Sequence, residues 1–278
     1  MKILSKEVIS EAKGVRIMRI KISAPQIAAK VKPGQFVVLM VGASGERIPL
    51  TVVDRDDEGI TLIFQEAGLT SRLLGKVEIG DVLYALAGPL GHPTEIADFG
   101  KTILVGGGVG IAEIYPVARA CKEKGNHLTV IIGARAKDLL ILEKELKALS
   151  DEFFVATDDG SYGKKGFTTD ILQDLLNQQP TTNDQRLVYA VGPLPMMKRV
   201  AAVTRPFGIK TIVSLNALMV DATGMCGCCR VTVAGKTRFS CIDGPEFDAH
   251  LVDFDELVKR NRIYEDKEKH ICNLHNLS

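Results

Sequence analysis

The sequence predicts an antiparallel β-barrel, followed by a doubly wound α/β domain and a small C-terminal cysteine-loop region. Three observations lead to this prediction. Short apolar strands and turns fill the first part of the chain, strands alternate with amphipathic helices from Lys101 onward, and four cysteines cluster between Cys226 and Cys241. A chain of 278 residues exceeds the size at which one hydrophobic core stops growing, so we expect more than one domain.

The composition is that of an ordinary globular protein. Hydrophobic residues make up 46% and charged residues 25% of the chain, a balance that disordered chains do not have. The net charge of +1 lacks the excess of basic residues that is typical of nucleic-acid-binding proteins. No apolar run reaches the ~18 residues that a membrane span needs, and the N-terminus alternates like a strand rather than a signal peptide. We therefore expect a cytoplasmic protein that binds neither nucleic acid nor membrane.

Changes in the residue pattern divide the chain into four predicted segments. Residues 1–98 consist of short alternating strands and turns, as in an antiparallel barrel. Residues 99–210 alternate buried strands with helices, which predicts a parallel sheet covered on both faces. Residues 211–250 carry the cysteine cluster, and residues 251–278 form a charged, amphipathic helical tail. We expect this tail either to dock a partner or to pack on the chain's own α/β domain.

The α/β segment contains a glycine turn typical of a phosphate site. An apolar strand runs into Gly107, Gly108, Val109 and Gly110 and then directly into a helix. Glycine lets the backbone approach a ligand, and the N–H groups of a helix start attract anions. The later strands of this segment end in Arg135, in Asp159 and Gly160, and in Gly192 and Pro193. Because open parallel sheets bind ligands at this edge, we predict a nicotinamide dinucleotide site there.

Arg135 leaves the choice of dinucleotide open. An acidic residue after the second strand commonly binds the ribose 2′-hydroxyl of NAD, and Arg135 occupies that place in this chain. Arginine suits a 2′-phosphate, so the residues alone are compatible with both NAD(H) and NADP(H).

Two short motifs in the barrel segment suit an anionic ligand. The first, R-I-P-L-T, runs from Arg47 to Thr51, and the second, G-L-T-S, runs from Gly68 to Ser71. An arginine fork near small and hydroxyl residues on adjacent strand ends can hold a phosphate. The alternative for Arg47 alone is a surface ion pair.

These motifs resemble those of ferredoxin–NADP reductase-type flavoproteins, in which an R-x-P/Y-x-S/T strand faces the flavin and a G-x-x-[ST] turn binds its pyrophosphate. The resemblance implies bound FAD. It assigns Arg47 to the flavin phosphate, Pro49 and Leu50 to the flavin ring, and Thr51 to the reactive edge of the ring. The residues that it assigns to the pyrophosphate are Gly68, Thr70 and Ser71.

The cysteine loop has the spacing of a [2Fe–2S] site. Plant-type sites have the pattern C-x₄-C-x₂-C followed by a distant cysteine. Cys226, Cys229 and Cys241 occupy the last three positions, and Asp221 lies where the first cysteine would be. We predict that these four residues bind a [2Fe–2S] cluster while Cys228 points away. A structural zinc site and a cluster completed by Cys228 are the alternatives.

The order of barrel, nicotinamide domain and [2Fe–2S] loop resembles the electron-transfer subunits of bacterial dihydroorotate dehydrogenases. The chain departs from them at Asp221, where they have cysteine. With this aspartate and the phrases GERIPLT, VGGGVGIAEIYPVA and MVDATGMCG, it is more similar to the small subunits of NADH-dependent reduced ferredoxin:NADP⁺ oxidoreductases, also described as sulfide dehydrogenase subunits. That resemblance implies a large flavoprotein and iron–sulfur partner subunit, which handles NADP(H) and ferredoxin and bifurcates electrons.

The resemblance also implies a division of the chemistry. Hydride passes between NADH and the flavin, single electrons pass between the flavin and the cluster, and no catalytic acid or base is required. One alternative function is an electron-transfer subunit for dihydroorotate oxidation. An alternative from another class is a non-catalytic regulator that binds zinc and a nucleotide.

Overall fold

The computed structural model describes residues 1–178 and 186–274, and these form two compact units. The first unit contains Met1–His92, Asn216–Pro245 and the chain from Asp253 onward. The second unit contains Pro93–Leu215 and Glu246–Val252. The cysteine segment and most of the tail therefore belong to the same unit as the N-terminal strands.

The first unit is built on a six-stranded antiparallel barrel. Its strands are β1 (Ile3–Ala12), β2 (Val15–Ser23), β3 (Phe36–Met40), β4 (Ile48–Arg55), β5 (Gly59–Gln65) and β6 (Ala85–Leu90). They pair in the order β1-β2-β5-β4-β3-β6, and every neighbouring pair is antiparallel. The start of β1 bonds to the segment before β6, where the Ile3 N–H donates to the Asp81 carbonyl at 2.9 Å. This confirms the predicted antiparallel barrel.

Alternation along the strands builds the barrel core. Met18, Ile20 and Ile22 of β2 are fully buried, as are Ile60 and Leu62 of β5. Their spacing of two residues places them on one face of each strand. Burying a side chain of this size stabilises the fold by about 1.5–3 kcal/mol.

Two helices flank the barrel strands and the remaining elements of the unit follow residue 216. The helices are α1 (Pro25–Ala28) and α2 (Leu69–Lys76). The cysteine segment contains the hairpin of β13 (Arg230–Val233) and β14 (Lys236–Phe239), followed by α7 (Ser240–Asp243). The tail contains α8 (Phe254–Asn261) and α9 (Glu265–Leu274).

The tail packs on the first unit. α8 lies against β13 and buries Phe254 and Leu257, while α9 lies against α2. The Asp253 carboxylate accepts the Glu256 N–H at 2.9 Å, which caps the start of α8. Both helices therefore contact elements of the first unit, the cysteine hairpin and α2, and the docking of a partner by the tail stays a prediction.

The second unit is a doubly wound α/β domain, as predicted. Its strands are β7 (Lys101–Gly107), β8 (His127–Ala134), β9 (Glu152–Thr157), β10 (Lys164–Lys165), β11 (Arg186–Val191), β12 (Lys210–Ser214) and β15 (Glu246–Asp248). Their order is β10-β9-β8-β7-β11-β12-β15. All neighbouring strands are parallel except β15, which runs antiparallel to β12 at the edge.

The sheet is covered by helices that follow its strands. They are α3 (Gly110–Glu123), α4 (Glu143–Leu149), α5 (Thr168–Gln178) and α6 (Leu194–Thr204). α3 packs on α4, and α5 packs on α6, so two helix pairs sandwich the sheet. No helix in the described part of the chain combines the length and the apolar character needed to cross a membrane.

The second unit ends at different residues from those that the sequence predicts. β12 continues to Ser214, past the predicted boundary at residue 210, and β15 joins this sheet from within the predicted segment 211–250. A three-residue edge strand is too short to produce a recognisable periodicity. The division of the chain into one region for each cofactor and a tail, at residues 1–98, 99–210, 211–250 and 251–278, stays a prediction.

Candidate cofactor sites

The predicted flavin residues lie where two barrel strands separate. β4 pairs with β3 along Ile48–Thr51, but its pairing with β5 begins only at Val52. Within the described residues, Ile48–Leu50 therefore pair with β3 but not with β5. Proline lacks an N–H and is tolerated at such an edge, which explains Pro49.

The predicted flavin residues of β4 lie on two faces of the strand, because successive side chains point to opposite sides. Ile48 and Leu50 pack against the barrel core. Pro49 and Thr51 lie on the opposite face, and the two-residue period places Arg47 on the same side as these two. The assignment of Leu50 to the flavin ring stays a prediction, since its side chain is directed mainly toward the core.

The turn that starts α2 is held by its own hydroxyl groups. Ser71 Oγ accepts the N–H of Gly68 at 3.0 Å and the N–H of Ala67 at 2.9 Å. The buried Thr70 donates its hydroxyl to Glu46 Oε2 at 2.9 Å. These side chains shape the turn, and the N–H groups of the first helical turn are the donors that an anion could use. The roles of Gly68, Thr70 and Ser71 in binding pyrophosphate stay predictions.

Arg72 is a candidate binding residue that the motif did not include. It follows Ser71 on α2, and its Nε is buried without a hydrogen-bond partner in the part of the chain that the structure describes. An unpaired buried donor is costly, so an anionic acceptor such as a pyrophosphate fits this position. The only sequence signal was a basic residue directly after the G-x-x-[ST] turn.

Arg47 contacts a predicted cluster ligand. Its Nη1 lies 3.2 Å from Oδ1 of Asp221, and the side chains are 50% and 26% exposed. Thr223 donates its hydroxyl to the other carboxylate oxygen, Oδ2. The structure thus joins residues that the sequence assigned to two different cofactors.

The predicted cluster ligands form two pairs. The Sγ atoms of Cys229 and Cys241 are 3.2 Å apart, too far for a disulfide of about 2.05 Å. Cys226 lies beside Asp221, whose backbone N–H donates to the Cys226 sulfur. Among the described residues, no three His, Cys, Asp or Glu side chains converge as they would on a single metal ion. Two pairs of donors suit the two irons of a [2Fe–2S] cluster better than one tetrahedral zinc.

The thiols of this loop differ in acidity. The pKa of Cys226 is lowered, first by the backbone N–H of Cys228 and also by that of Asp221. Burial raises the pKa of the Cys241 thiol to about 12, and its hydrogen bond with Cys229 adds to this effect. Desolvation also raises the pKa of Cys228, which contacts Cys226. Because only a thiolate ligates a metal, metal binding at Cys241 must displace a proton.

Two residues of α8 hold the cysteine segment, and sequence reasoning missed both. Arg260 Nη2 donates to the Cys228 carbonyl at 3.1 Å. Asn261 Oδ1 accepts the N–H of Leu218 at 3.2 Å, and its Nδ2 donates to the Asn216 carbonyl at 2.9 Å. α8 therefore holds the backbone both before Asp221, at Asn216 and Leu218, and after it, at Cys228. The only sequence signal was the amphipathic pattern of the tail.

The glycine turn after β7 has the geometry of a phosphate site. Gly108 has a φ of +59°, and a Cβ at this position would meet no atom within 4 Å. A Cβ on Gly110, in contrast, would lie 2.5 Å from the Val191 carbonyl oxygen. Gly110 therefore lets α3 pack closely on β11, while Gly108 leaves open space before a helix that begins just after Val109.

The other predicted nucleotide residues lie at the same edge of the sheet. The exposed Arg135 and Asp159 follow β8 and β9, and the Asp159 N–H donates to the Arg135 carbonyl at 3.3 Å. Gly160 is next to Asp159 and has a φ of +75°. Because the strands are parallel, the structure brings these turns together with the glycine turn at one edge.

Met196 is a further residue at this edge that the sequence did not suggest. It lies on α6, which begins after the exposed Pro193. A Cβ on Gly107 would be 2.5 Å from Met196 Sδ, and one on Gly192 would be 2.6 Å from Met196 Cε. The two glycines therefore make room for this side chain between the ends of β7 and β11.

Two family descriptions match the chain. Residues 216–253 match the iron–sulfur cluster binding domain of dihydroorotate dehydrogenase B. Residues 104–202 match an oxidoreductase NAD-binding domain. The first match agrees with the two ligand pairs in favouring iron and sulfur over zinc.

Relatives in curated collections align over most of the chain. The dihydroorotate dehydrogenase B (NAD⁺) electron transfer subunit homolog of Thermotoga maritima is 47% identical over 250 residues, which cover 89% of this chain and 87% of that protein. The dihydroorotate dehydrogenase B (NAD⁺) electron transfer subunit of Geobacillus thermodenitrificans is 33% identical over 260 residues, with 90% and 96% covered.

Solved structures are similar as well. A chain of an NADH-dependent reduced ferredoxin–NADP oxidoreductase, described in connection with flavin-based electron bifurcation, has a TM-score of 0.91 at 43% identity, and the alignment covers 100% of this chain and 98% of that chain. A ferredoxin–NADP⁺ reductase from Plasmodium falciparum, with a TM-score of 0.61, 15% identity and coverage of 74% and 90%, shares the fold. From its identity to relatives over most of its length, this chain belongs to the family of dihydroorotate dehydrogenase B-type electron transfer subunits.

Proposed function

We propose that this chain is the small, electron-transferring subunit of an electron-bifurcating NADH-dependent reduced ferredoxin–NADP oxidoreductase. It is an oxidoreductase subunit that uses FAD, a [2Fe–2S] cluster and NAD(H). The observation that carries the proposal is the alignment with such an oxidoreductase over 100% of this chain at a TM-score of 0.91.

The chain's own residues would bind and orient the cofactors. The face of β4 that carries Pro49 and Thr51 and the first turn of α2 would hold the flavin, and Asp221, Cys226, Cys229 and Cys241 would hold the cluster. The turn at Gly108 and the start of α3 would hold the phosphates of the dinucleotide. The bound groups would supply the redox chemistry, namely two-electron hydride exchange at the flavin and one-electron exchange at the cluster. Hydride transfer requires no acid or base, and we assign none.

Contacts within the first unit support this arrangement. Glu46 bonds to Thr70 in the α2 turn, and the next residue, Arg47, bonds to Asp221 in the cysteine segment. One short segment before β4 therefore touches both the predicted flavin turn and the predicted cluster loop. Electron transfer between two cofactors needs their sites to be close, and this placement meets that need.

The large flavoprotein and iron–sulfur subunit is the partner in this proposal, and ferredoxin exchanges electrons through it. Three apolar side chains near the cluster ligands are strongly exposed: Val220 (49%), Met225 (88%) and Ile242 (45%). We place the complex in the cytoplasm, because four of the six cysteines are clustered as in a metal or redox site and not spread as in a disulfide framework.

The proposal is tested by purifying the complex with its native partner. We expect a brown complex in which NADP⁺ reduction requires both NADH and reduced ferredoxin. NADP⁺ reduction that proceeds unchanged without NADH would contradict the proposed role, as would a colourless, zinc-containing chain.

A second candidate function is electron transfer during dihydroorotate oxidation. The match of residues 216–253 to the dihydroorotate dehydrogenase B iron–sulfur domain favours it. The same purified complex distinguishes the two functions, because only this second function predicts dihydroorotate-dependent reduction of NAD⁺.

A further inference from the structure

Two segments that carry the chain from the first unit into the second lie side by side. They are residues 91–94 and 244–246, which we call the crossing segments, and the unit boundaries fall after His92 and after Pro245. The His92 N–H donates to the Gly244 carbonyl at 2.7 Å. The two segments are therefore joined directly to each other.

At their first-unit ends, the crossing segments are packed against the barrel. Gln35 Nε2 donates to the Gly91 carbonyl at 2.7 Å. A Cβ on Gly91 would lie 2.7 Å from Phe36 Cε1 and 2.8 Å from Pro245 Cδ. Because Gly91 has no side chain, both rings can approach its backbone closely. This end of the crossing segments is thus held to β3, which begins at Phe36.

At their second-unit ends, the crossing segments share one carboxylate. Glu246 Oε1 accepts the hydroxyl of Thr94 and, at 2.8 Å, the hydroxyl of Tyr189. Tyr189 belongs to β11, an interior strand of the parallel sheet, and is 1% exposed, while Thr94 is 9% exposed. A buried polar group that loses its hydrogen-bond partner is costly, so these three side chains hold one another in place. Glu246 therefore fastens both crossing segments to the sheet of the second unit.

We propose that Glu246 is a positioning residue for hydride transfer between NADH and the flavin, because it anchors the two crossing segments in the dinucleotide-binding unit. This inference rests on the proposed function. Glu246 is not among the residues predicted to bind a cofactor, and it acts through the chain that connects the two units.

The effect of Glu246 should fall on the rate of hydride transfer and not on the affinity for NADH. The predicted flavin residues lie in the first unit and the predicted dinucleotide residues in the second, so the two reacting rings are held by different units. Transfer depends steeply on the distance and orientation of the reacting atoms, and a displacement of ~1 Å can cost about 10²-fold in rate. Binding of the dinucleotide phosphates, in contrast, uses residues of the second unit alone.

A role confined to the stability of the second unit is the alternative, and Glu152 provides a matched comparison. Its Oε2 accepts the hydroxyl of the buried Thr129 at 2.7 Å. Glu152 lies on β9, on the other side of the same sheet from β15 and away from both crossing segments. Its loss should therefore disturb the sheet without releasing these segments.

The test uses the full chain with its cofactors bound, as wild type, Glu246→Leu, Glu246→Gln, Tyr189→Phe and the control Glu152→Leu. Anaerobic stopped-flow measurement of flavin bleaching against NADH concentration gives the limiting rate and the Kd for NADH. Amide hydrogen exchange of the crossing segments, measured without NADH, reports on the anchoring itself. FAD and iron contents are determined for each protein.

In Glu246→Leu we expect a limiting rate about tenfold lower, an unchanged Kd for NADH, normal FAD and iron, and faster exchange of the His92 amide. Tyr189→Phe removes one hydroxyl partner, so it should change the rate and the exchange in the same direction but less. Glu246→Gln keeps an oxygen that can accept both hydroxyl groups and should stay near wild type. Glu152→Leu should also stay near wild type in both measurements.

Several results would overturn the inference. A wild-type limiting rate despite faster exchange would show that the crossing segments do not position the cofactors, and a lower rate without faster exchange would exclude the anchoring. A weaker affinity for NADH at an unchanged rate would place Glu246 in the dinucleotide site instead. An equal loss of rate in Glu152→Leu would leave only a general effect on the second unit.

The milder substitution keeps the test decisive if Glu246→Leu does not fold. Unchanged exchange and an unchanged rate in Tyr189→Phe would then overturn the inference. Failure of the proposed function looks different, since the wild-type chain itself would lack FAD or iron, or NADH would leave its flavin oxidised.

Discussion

At the scale of single residues, Asp221 distinguishes this loop from one with four cysteines. Its carboxylate is held by Arg47 and Thr223, and its backbone N–H donates to the Cys226 sulfur. The same residue thus contributes both a candidate ligand atom and a hydrogen bond to the neighbouring thiolate. N–H groups that donate to ligand sulfurs tune the potential of a cluster.

Substitutions in the loop test the ligand set. Asp221→Cys should keep a [2Fe–2S] cluster with a shifted potential, because thiolate and carboxylate donate differently to iron. Cys229→Ala should lose most of its iron, since it removes one member of the buried pair with Cys241. Cys228→Ala should retain it. Iron analysis and EPR check these outcomes, and equal iron loss in the Cys228 and Cys229 variants would refute the ligand assignment.

The preference for the nicotinamide dinucleotide is a second test at this scale. We expect NADH to reduce the flavin better than NADPH, as the family resemblance implies, although the exposed Arg135 could pair with a 2′-phosphate. Steady-state reduction of the bound flavin by both dinucleotides measures the preference. If NADPH is favoured by about tenfold, equivalent to roughly 1.4 kcal/mol, the expectation is wrong. Arg135→Ala should then abolish the advantage of NADPH.

Glu246 is a buried acid in the second unit. Its Oε1 accepts the hydroxyl groups of Thr94 and Tyr189, the latter at 2.8 Å. Burial raises the pKa of this carboxyl above its ordinary value of 4.5, and the two hydroxyl groups oppose that rise. The folded chain therefore holds the proton more tightly than the unfolded chain does.

This raised pKa predicts a pH-dependent contribution to stability. The contribution is fully present below pH 4.5 and is lost as the pH rises through the raised pKa of the folded state. Glu246→Gln mimics the protonated acid, so it should become more stable relative to wild type across this window, by up to about 1.4 kcal/mol for each unit of the pKa shift. Urea unfolding at several pH values measures the difference. A difference that stays constant with pH would show that Glu246 does not titrate in this way.

At the scale of elements, α8 holds the cysteine segment in place. Phe254 and Leu257 bury its apolar face against β13, and Arg260 and Asn261 bond to the backbone on either side of Asp221. The carbonyl of Cys228 is thereby fixed. Because a peptide group is planar, the N–H of Cys229 is oriented at the same time.

Substitutions in α8 test whether this helix holds the cysteine segment in place. Arg260→Met and Asn261→Ala should each shorten the lifetime of the cluster severalfold, because backbone hydrogen bonds worth about 0.5–1.5 kcal/mol each are lost. Lys259→Ala is the matched control, since Lys259 is exposed on the same helix. The loss of cluster absorbance on exposure to air gives the lifetime. Identical lifetimes in all three variants would mean that the tail does not hold the loop.

At the scale of the whole molecule, local patterns predicted the fold, whereas contacts between distant residues could not be predicted. Periodicity identified the barrel and the parallel sheet, and the x₄/x₂ spacing identified the loop around Cys226. The ion pair of Arg47 with Asp221 joins residues far apart in sequence, so no local pattern encodes it. The return of β15 to the second sheet was missed for a related reason, because its pairing partner β12 is distant and the strand is short.

The two-unit division has a consequence for function. The predicted flavin and cluster residues lie in the first unit, and the predicted dinucleotide residues lie in the second. Damage to the cluster loop should therefore leave the dinucleotide-binding unit intact. This separation allows hydride transfer and single-electron transfer to be measured independently in one protein.

Our central claim is that this chain carries electrons from NADH through FAD to a [2Fe–2S] cluster. The most direct test is to mix the purified chain with NADH under anaerobic conditions and to follow flavin absorbance and low-temperature EPR together. We predict that the flavin bleaches and that the signal of a reduced two-iron cluster appears. In Cys229→Ala, only the bleaching should remain. A wild-type chain whose flavin bleaches without any cluster signal, or that NADH leaves unchanged, would contradict the claim.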